Sequence, residues 1–328
     1  MHNPALRPNR SELIVPGIRP ELFAKAVRSD ADVIVLDLED SVAESDKIQA
    51  RRNVADALRS MDFGTKTVSV RLNALDCSAF EDDLRAIVEA GAARLDLVMV
   101  PKIDAVDDVR RIESGIAAIE AEKKIPARVG VELLIESARA MMSVEAIAGA
   151  GKRVEALHFG PGDYAASIGA RSTMIGGANP RYGVLSGSGG DANRTFHWND
   201  VFHYALCRIV VAARAHGLRP VDGPYADFKD VEGLKAAANR AAALGCEGKW
   251  VIHPGQIAAV NEAFTPSAAE LDDARRIVAA MKTAGAEGRG AVSLDGRMID
   301  IASIRQAEVM VKKWERLTAQ PAAQSPAA

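Results

Sequence analysis

Residues Val33–Asp40 read Val-Ile-Val-Leu-Asp-Leu-Glu-Asp. An unbroken aliphatic run of this kind is what a strand covered on both faces looks like, and parallel sheets flanked by helices bury both faces. The run then turns acidic, with carboxylates at Asp37, Glu39 and Asp40. A charge at the end of one buried strand is often loop solvation or a helix cap. Several such ends converging on one rim would instead build a site.

The pattern recurs on both sides of this stretch. β-rich runs occupy Glu12–Val15, Val33–Leu38, Thr67–Leu72, Leu97–Pro101, Arg128–Ile135, Ala156–Phe159, Arg219–Val221 and Lys249–Ile252. Between them lie stretches with apolar residues at helical spacing, among them Ala105–Glu122, Trp198–His216 and Asp230–Leu244. Eight strands with interposed helices predict an α/β fold, a (β/α)8 TIM barrel. A doubly wound sheet would carry a glycine fingerprint after its first strand. The segment Val15-Pro16-Gly17-Ile18-Arg19-Pro20 does not supply one.

The connection Gly160–Leu218 is long and mostly loop-like in composition, including 175–194, and loops of that length are usually functional lids or disordered. Past the eighth run come a short helix, a predicted helix over Pro266–Gly285, a glycine-punctuated segment Gly288–Asp300 and a last helix Ile301–Leu317. These observations divide the chain into a TIM-barrel catalytic domain at 1–264, a C-terminal helical lid at 265–317 and a low-complexity tail at 318–328, expected to be disordered.

Composition excludes several classes. With 41 basic and 44 acidic residues the net charge is −3, so no basic excess suits nucleic acid. No apolar run approaches the roughly 18 residues a membrane helix needs. The start, MHNPALRPNRSELIVPG, lacks the apolar core of a secretory signal. Cys77, Cys207 and Cys246 are far apart and odd in number, which argues for free thiols in a cytoplasmic protein.

The strand ends carry the chemistry. After the Asp37-Leu38-Glu39-Asp40 end come Arg71 and Asn73, Pro101-Lys102, Glu132 and Glu136, Gly160-Pro161-Gly162-Asp163, Asp222-Gly223-Pro224 and His253-Pro254. Glu136 and Asp163 follow neighbouring runs, and strands about 4.8 Å apart let both carboxylates reach one cation. Two hard carboxylates with no histidine or cysteine partner suit Mg2+ rather than zinc. Arg71 is a fixed cation that would stabilise an enolate or oxyanion. It is equally able to pair with Asp37 or Glu39, and both roles can coexist. His158, within a strand, reads as core. Arg19 and Lys25 follow the first run and could pair with phosphates. Gly187-Ser188-Gly189-Gly190 lacks the P-loop frame. No GxSxG or HExxH motif is present, which counts against a hydrolase of either kind.

In this order, the stretches VPGIRPELFAKA, VIVLDLEDSVAESDKIQAR, VSVRLN, MVPKI, VELLIESA, HFGPGDYAASIG, RPVDGPYADFKD, GKWVIHPGQI and GAVSLDGRMIDIASIRQAEV resemble the citrate lyase beta-subunit/HpcH-HpaI aldolase superfamily. The likeness runs from about Asn9 to Leu317. It is nearest to the bacterial L-malyl-CoA/β-methylmalyl-CoA lyases, through Ile175-Gly176-Gly177, VDGPYADFKD and MIDIASIRQAEV. The resemblance implies a TIM barrel with a helical lid and a Mg2+-dependent carbon–carbon lyase, with Mn2+ as a substitute metal. The reaction implied is reversible cleavage of L-malyl-CoA or β-methylmalyl-CoA to glyoxylate and acetyl-CoA or propionyl-CoA. A citramalyl-CoA or citrate-lyase-like activity and a malyl-CoA thioesterase are the alternatives. The partners implied are a CoA thioester, a 2-oxo acid and further copies of the chain, in trimers or hexamers that exchange lids. Carried over by motif, Glu136 and Asp163 resemble metal ligands, and Arg71 the residue that meets the thioester. Arg19 and Lys25 resemble CoA contacts, and Asp300 the acid/base brought by another subunit's lid. Asp37 and Glu39 resemble wall carboxylates that orient Arg71 and metal-bound waters.

Overall fold

The eight aliphatic runs become eight parallel strands of one closed barrel. The computed structural model describes residues 7–125, 129–187 and 194–318. The barrel strands are β1 (Ser11–Pro16), β2 (Val33–Asp37), β3 (Thr67–Arg71), β4 (Leu97–Val100), β5 (Gly130–Ile135), β6 (Val154–Phe159), β9 (Arg219–Asp222) and β10 (Gly248–Val251). Two hairpins lie outside it, β7 (Gly183–Ser186) with β8 (Thr195–Trp198), and β11 (Val292–Leu294) with β12 (Arg297–Ile299). The barrel order is β1-β10-β9-β6-β5-β4-β3-β2, and β1 pairs with both β10 and β2. Closure leaves no unpaired edge. Arg128, at the start of the fifth run, lies outside the described residues, as do 188–193 and the tail 319–328.

Side-chain alternation sorts each strand between two cores. Ile34 and Leu36 pack outward with Val54 and Leu58 of the helix Lys47–Ser60. Val33 and Val35 point inward, where they meet Met99, Leu134, Ala156, Val221 and Trp250. Asp37 continues the inward set at the catalytic end of β2. By the same period of two, Arg71 follows Ser69 and Glu136 follows Leu134. Sequence parity therefore aims these three side chains at the barrel axis.

One interior layer is polar. Glu12, Ser69, Glu132 and Arg219 come from β1, β3, β5 and β9, which alternate around the barrel as the four members of one layer do. Ser69 Oγ donates to Glu132 Oε2 at 2.8 Å, and Arg219 Nη2 is 3.5 Å from Glu132 Oε1. Glu132 thus sits within β5 and fully buried, not at the rim where the strand-end reading put it. Asp222 is likewise buried, tied to Lys249 Nζ at 2.6 Å. His158, read as core, is 0% exposed and accepts a hydrogen bond from Trp250 Nε1 at Nδ1, 2.8 Å away. Nε2 lies 3.4 Å from Glu132 Oε1, and although burial would lower the imidazole's pKa, the charges of Glu12 and Glu132 outweigh it and hold it above its ordinary value. Glu12, Glu132 and His158 lie close enough to hold a metal. The Arg219 guanidinium already supplies the positive charge there, so we read the cluster as structural.

Glu12 and Glu132 share this buried space with Arg219 and His158. Burial, with the charge of Glu132 adding, outweighs the pull of His158 and pushes Glu12 up to about 7 from 4.5. The folded chain therefore holds this proton in a pH range where the unfolded chain has lost it. The stabilisation is complete below about 4.5 and falls by up to ~1.4 kcal/mol per pH unit until about 7, where it is gone. Glu12→Gln keeps the shape and cannot titrate. Melting temperatures should show wild type losing ground to Glu12→Gln as the pH rises from about 5 to about 8. A pH-independent gap between the two would contradict this reading.

The long connection after β6 is less loop-like than its composition. It contains the helix Pro161–Ser167, the β7/β8 hairpin and the helix His203–Ala215. Gly176 has φ +80° and lies against the Pro224 carbonyl, and Ala226 N donates to Ile175 O at 3.0 Å. These contacts pin the Ile175-Gly176-Gly177 segment to the loop after β9.

The C-terminal elements pack mainly on each other. The helix Ala268–Ala286 is capped by Ser267, whose Oγ accepts from Glu270 N at 3.2 Å. The Arg275 guanidinium sits 4.9 Å over the ring of Trp314 in the helix Ile301–Thr318. Lys313 Nζ lies 5.6 Å over Phe264, the last residue of the helix that follows β10. In a βα unit the helix runs back toward the strand starts, so this anchor is on the face opposite the rim.

Candidate active site

Arg71 ends β3 and leans inward across the mouth. Its Nε and Nη2 each lie 2.6 Å from the two Asp37 oxygens, a bidentate pair. Nη1 is 2.8 Å from Glu39 Oε2 and 3.5 Å from Asp40 Oδ2. The guanidinium carbon sits 5.4 Å from the centre of the Trp250 ring. These contacts leave one N–H of Nη2 for a substrate oxygen. Asp37 is held in turn by Glu39 N at 3.0 Å, Ser41 N at 3.2 Å and Ser41 Oγ. Burial alone would push the Asp37 carboxyl up. The charge and hydrogen bonds of Arg71 outweigh it and hold the group below its usual range.

Glu136 follows β5 and faces the same mouth. Its Oε1 accepts from Lys102 N at 2.7 Å. Burial pushes this carboxyl up to about 8, and the charges of Asp163 and Glu39 add to the shift. The Lys102 N–H and the Arg71 charge offset this only in part, and a divalent cation would resolve the crowding of three carboxylates. Glycine at 160 keeps the place open, since a Cβ there would lie 2.5 Å from Glu136 Oε2. Asp163 is exposed in the first turn of the helix Pro161–Ser167, beside Glu136 in the adjoining βα unit. Oxygen-only donors with room for water fit Mg2+.

Some of the supporting contacts carry no sequence signal. Lys47 Nζ reaches Asn73 Oδ1 at 2.6 Å and the carbonyls of Leu38 and Glu39 at 3.2 and 3.3 Å. It ties the loops after β2 and β3 together. Asp83, 0% exposed, accepts from Asn73 Nδ2 at 2.6 Å behind them. A lysine and an aspartate on helices gave no reason to look there.

Other predicted site residues stand apart. Arg19 and Lys25 are exposed in the segment after β1, and Arg19 pairs with Glu21. Asp300 caps its own helix, accepting from Ala302 N at 2.9 Å and Ser303 N at 3.1 Å. The hydrogen bond from Ser303 N holds its carboxyl below the usual range. Among the described residues no hydrogen bond or ion pair joins Asp300, Arg19 or Lys25 to Arg71, Glu136 or Asp163. His253 caps the turn Pro254–Gln256 and stacks on Phe228, ring centres 4.9 Å apart.

With the barrel and rim in place, a family match falls on the same elements. The family model of HpcH/HpaI aldolase/citrate lyase matches residues 10–254, from just before β1 to just past β10. The chain belongs to the HpcH/HpaI aldolase/citrate lyase family. It is 48% identical over 309 residues to an L-malyl-CoA/beta-methylmalyl-CoA lyase of Rhodobacter capsulatus, covering 94% of this chain and 95% of the relative. It is 33% identical to a (3S)-malyl-CoA thioesterase of Cereibacter sphaeroides, covering 95% and 96%. Among solved structures it resembles CitE of Mycobacterium tuberculosis in complex with magnesium, acetoacetate and coenzyme A. That match has a TM-score of 0.72 and 31% identity, and covers 94% of this chain and 99% of the other. In this HpcH/HpaI family member the match ends before the C-terminal hairpin and helices, whereas the lyase likeness extends across nearly the whole chain.

Proposed function

We propose that this chain is a magnesium-dependent carbon–carbon lyase that reversibly cleaves L-malyl-CoA, and β-methylmalyl-CoA, to glyoxylate and the shorter acyl-CoA. The observation that carries the reading is one mouth holding a buried Glu136, its carboxyl pushed up by burial and by Asp163, beside an Arg71 fixed by Asp37 and Glu39. The lyase of Rhodobacter capsulatus, alike along nearly the full length, supports the substrate.

Glu136 and Asp163 would hold the magnesium, which when bound polarises the substrate's hydroxyl and carbonyl oxygens. Arg71 offers its remaining N–H to the thioester oxygen, where negative charge grows as the carbon–carbon bond breaks. Asp37 and Glu39 keep that donor from turning away, so no reorganisation is needed as the charge appears. Arg19 and Lys25, exposed in the segment after β1, would take the CoA phosphates. Asp300 would move the proton at the acyl α-carbon, a general acid/base role.

In this reading Asp300 comes from another copy of the chain, whose 265–317 segment closes the site. Asp300 stands roughly 20 Å along its helix from the Lys313 anchor, and that anchor lies on the face away from the rim. Its neighbours Met298 and Ile301 are 77% and 60% exposed, apolar surface suited to covering another mouth.

Purified protein incubated with acetyl-CoA, glyoxylate and Mg2+ should form malyl-CoA, read by mass spectrometry, and EDTA should stop it. Free CoA with malate would add thioester hydrolysis to the carbon–carbon step; malyl-CoA supplied directly and giving malate and CoA with no glyoxylate would replace the lyase by the thioesterase reading. Product with pyruvate in place of glyoxylate would move the assignment to citramalyl-CoA.

A further inference from the structure

Lys102 follows β4 with φ +54°, a left-handed conformation that a lysine seldom adopts. Such backbone persists where its surroundings over-determine it, and it gathers at functional sites. Here it directs two contacts. The main-chain N–H donates to Glu136 Oε1 at 2.7 Å, and the side chain crosses the rim to place Nζ 2.8 Å from Glu39 Oε1. The other oxygen of Glu39 is the one 2.8 Å from Arg71 Nη1. One residue thus grips the carboxylate read as a metal ligand with its backbone. It grips the carboxylate that steadies Arg71 with its side chain.

We propose that Lys102 is a positioning residue that sets the spacing between the Glu136 carboxylate and the Arg71 guanidinium. Without the ammonium, Glu39 has a single cationic partner at the mouth and can swing with Arg71. Without the left-handed turn, the N–H no longer meets Glu136, and that carboxylate loses its fixed rotamer. The backbone half of the proposal rests on the assignment of Glu136 to the metal; the side-chain half does not.

The two halves separate experimentally. Lys102→Gly accepts positive φ freely, so it keeps the N–H on Glu136 and removes the ammonium. Lys102→Val resists positive φ and should move the N–H away. Lys102→Arg restores a cation. Mn2+ binding to substrate-free protein, read by electron paramagnetic resonance, reports on Glu136; steady-state kinetics reports on Arg71. Lys102→Gly should bind Mn2+ like wild type and keep its KM for acyl-CoA, with kcat lower by about 10-fold or more. Lys102→Arg should recover most of that loss. Lys102→Val should bind Mn2+ about 10-fold or more weakly; Lys102→Ala is the milder substitute should the valine protein not fold. Wild-type kcat in Lys102→Gly would overturn the side-chain role. Wild-type Mn2+ affinity in the valine or alanine protein would overturn the backbone role. Wild-type protein that binds no Mn2+ would remove the metal assignment and the backbone role with it, while Lys102→Gly still decides the other half.

Discussion

Arg71→Lys should lower kcat by about 10²–10³ and leave a folded protein. The Arg71 side chain is 7% exposed and faces an Asp37 side chain that is 0% exposed. Truncation to alanine would strand that buried carboxylate, a loss of roughly 3–5 kcal/mol. Lysine keeps a positive charge for Asp37, so the fold survives. Its ammonium is a compact point charge and cannot bridge both Asp37 oxygens, Glu39 and a substrate oxygen from one plane. The loss should therefore fall on turnover, with CoA affinity near wild type and a melting temperature close to it. A kcat within a few-fold of wild type would show that Arg71 does not meet the developing charge.

The second large effect belongs to Asp300. Asp300→Asn preserves the cap on Ala302 N and Ser303 N, since the amide oxygen still accepts. It removes the carboxylate proposed to move the α-carbon proton, so turnover should fall by about 10²–10⁴ with CoA binding largely intact. Because Asp300 is proposed to act on another copy, Asp300→Asn and Arg71→Lys proteins should complement each other. Mixed oligomers contain sites with an intact arginine and an intact aspartate, so activity should rise above either parent after subunit exchange. No rise despite exchange shown by mass spectrometry of the intact assembly would place the acid within one chain.

The barrel was legible because strands buried on both faces must be continuously aliphatic, as Val33–Leu36 and Leu97–Val100 are. The same alternation that makes Val33 and Val35 interior makes Asp37 interior, and so exposes the carboxylate–arginine pair to sequence reading. It also contains a trap. Glu132 and Glu136 share parity, and polarity alone does not say that Glu132 belongs to the buried layer with Glu12 and Arg219. The β7/β8 hairpin escaped because its strands are short and largely exposed, so no buried face imposes a pattern. Lys102 reads as a strand-end residue, but its double grip escaped for a different reason. Positive φ is announced by glycine or asparagine, and a lysine there gives no signal until Glu136 and Glu39 are seen on either side of it.

The most direct test of the central claim runs the reaction in the cleavage direction. Malyl-CoA is mixed with enzyme and Mg2+, glyoxylate is trapped as its phenylhydrazone, and acyl-CoA products are quantified in the same sample. Glyoxylate and acetyl-CoA formed in equal amounts, with no free thiol and no reaction in EDTA, is the result predicted by Glu136 and Asp163 holding the metal beside Arg71. Free CoA and malate without glyoxylate, or undiminished cleavage in EDTA, would contradict it.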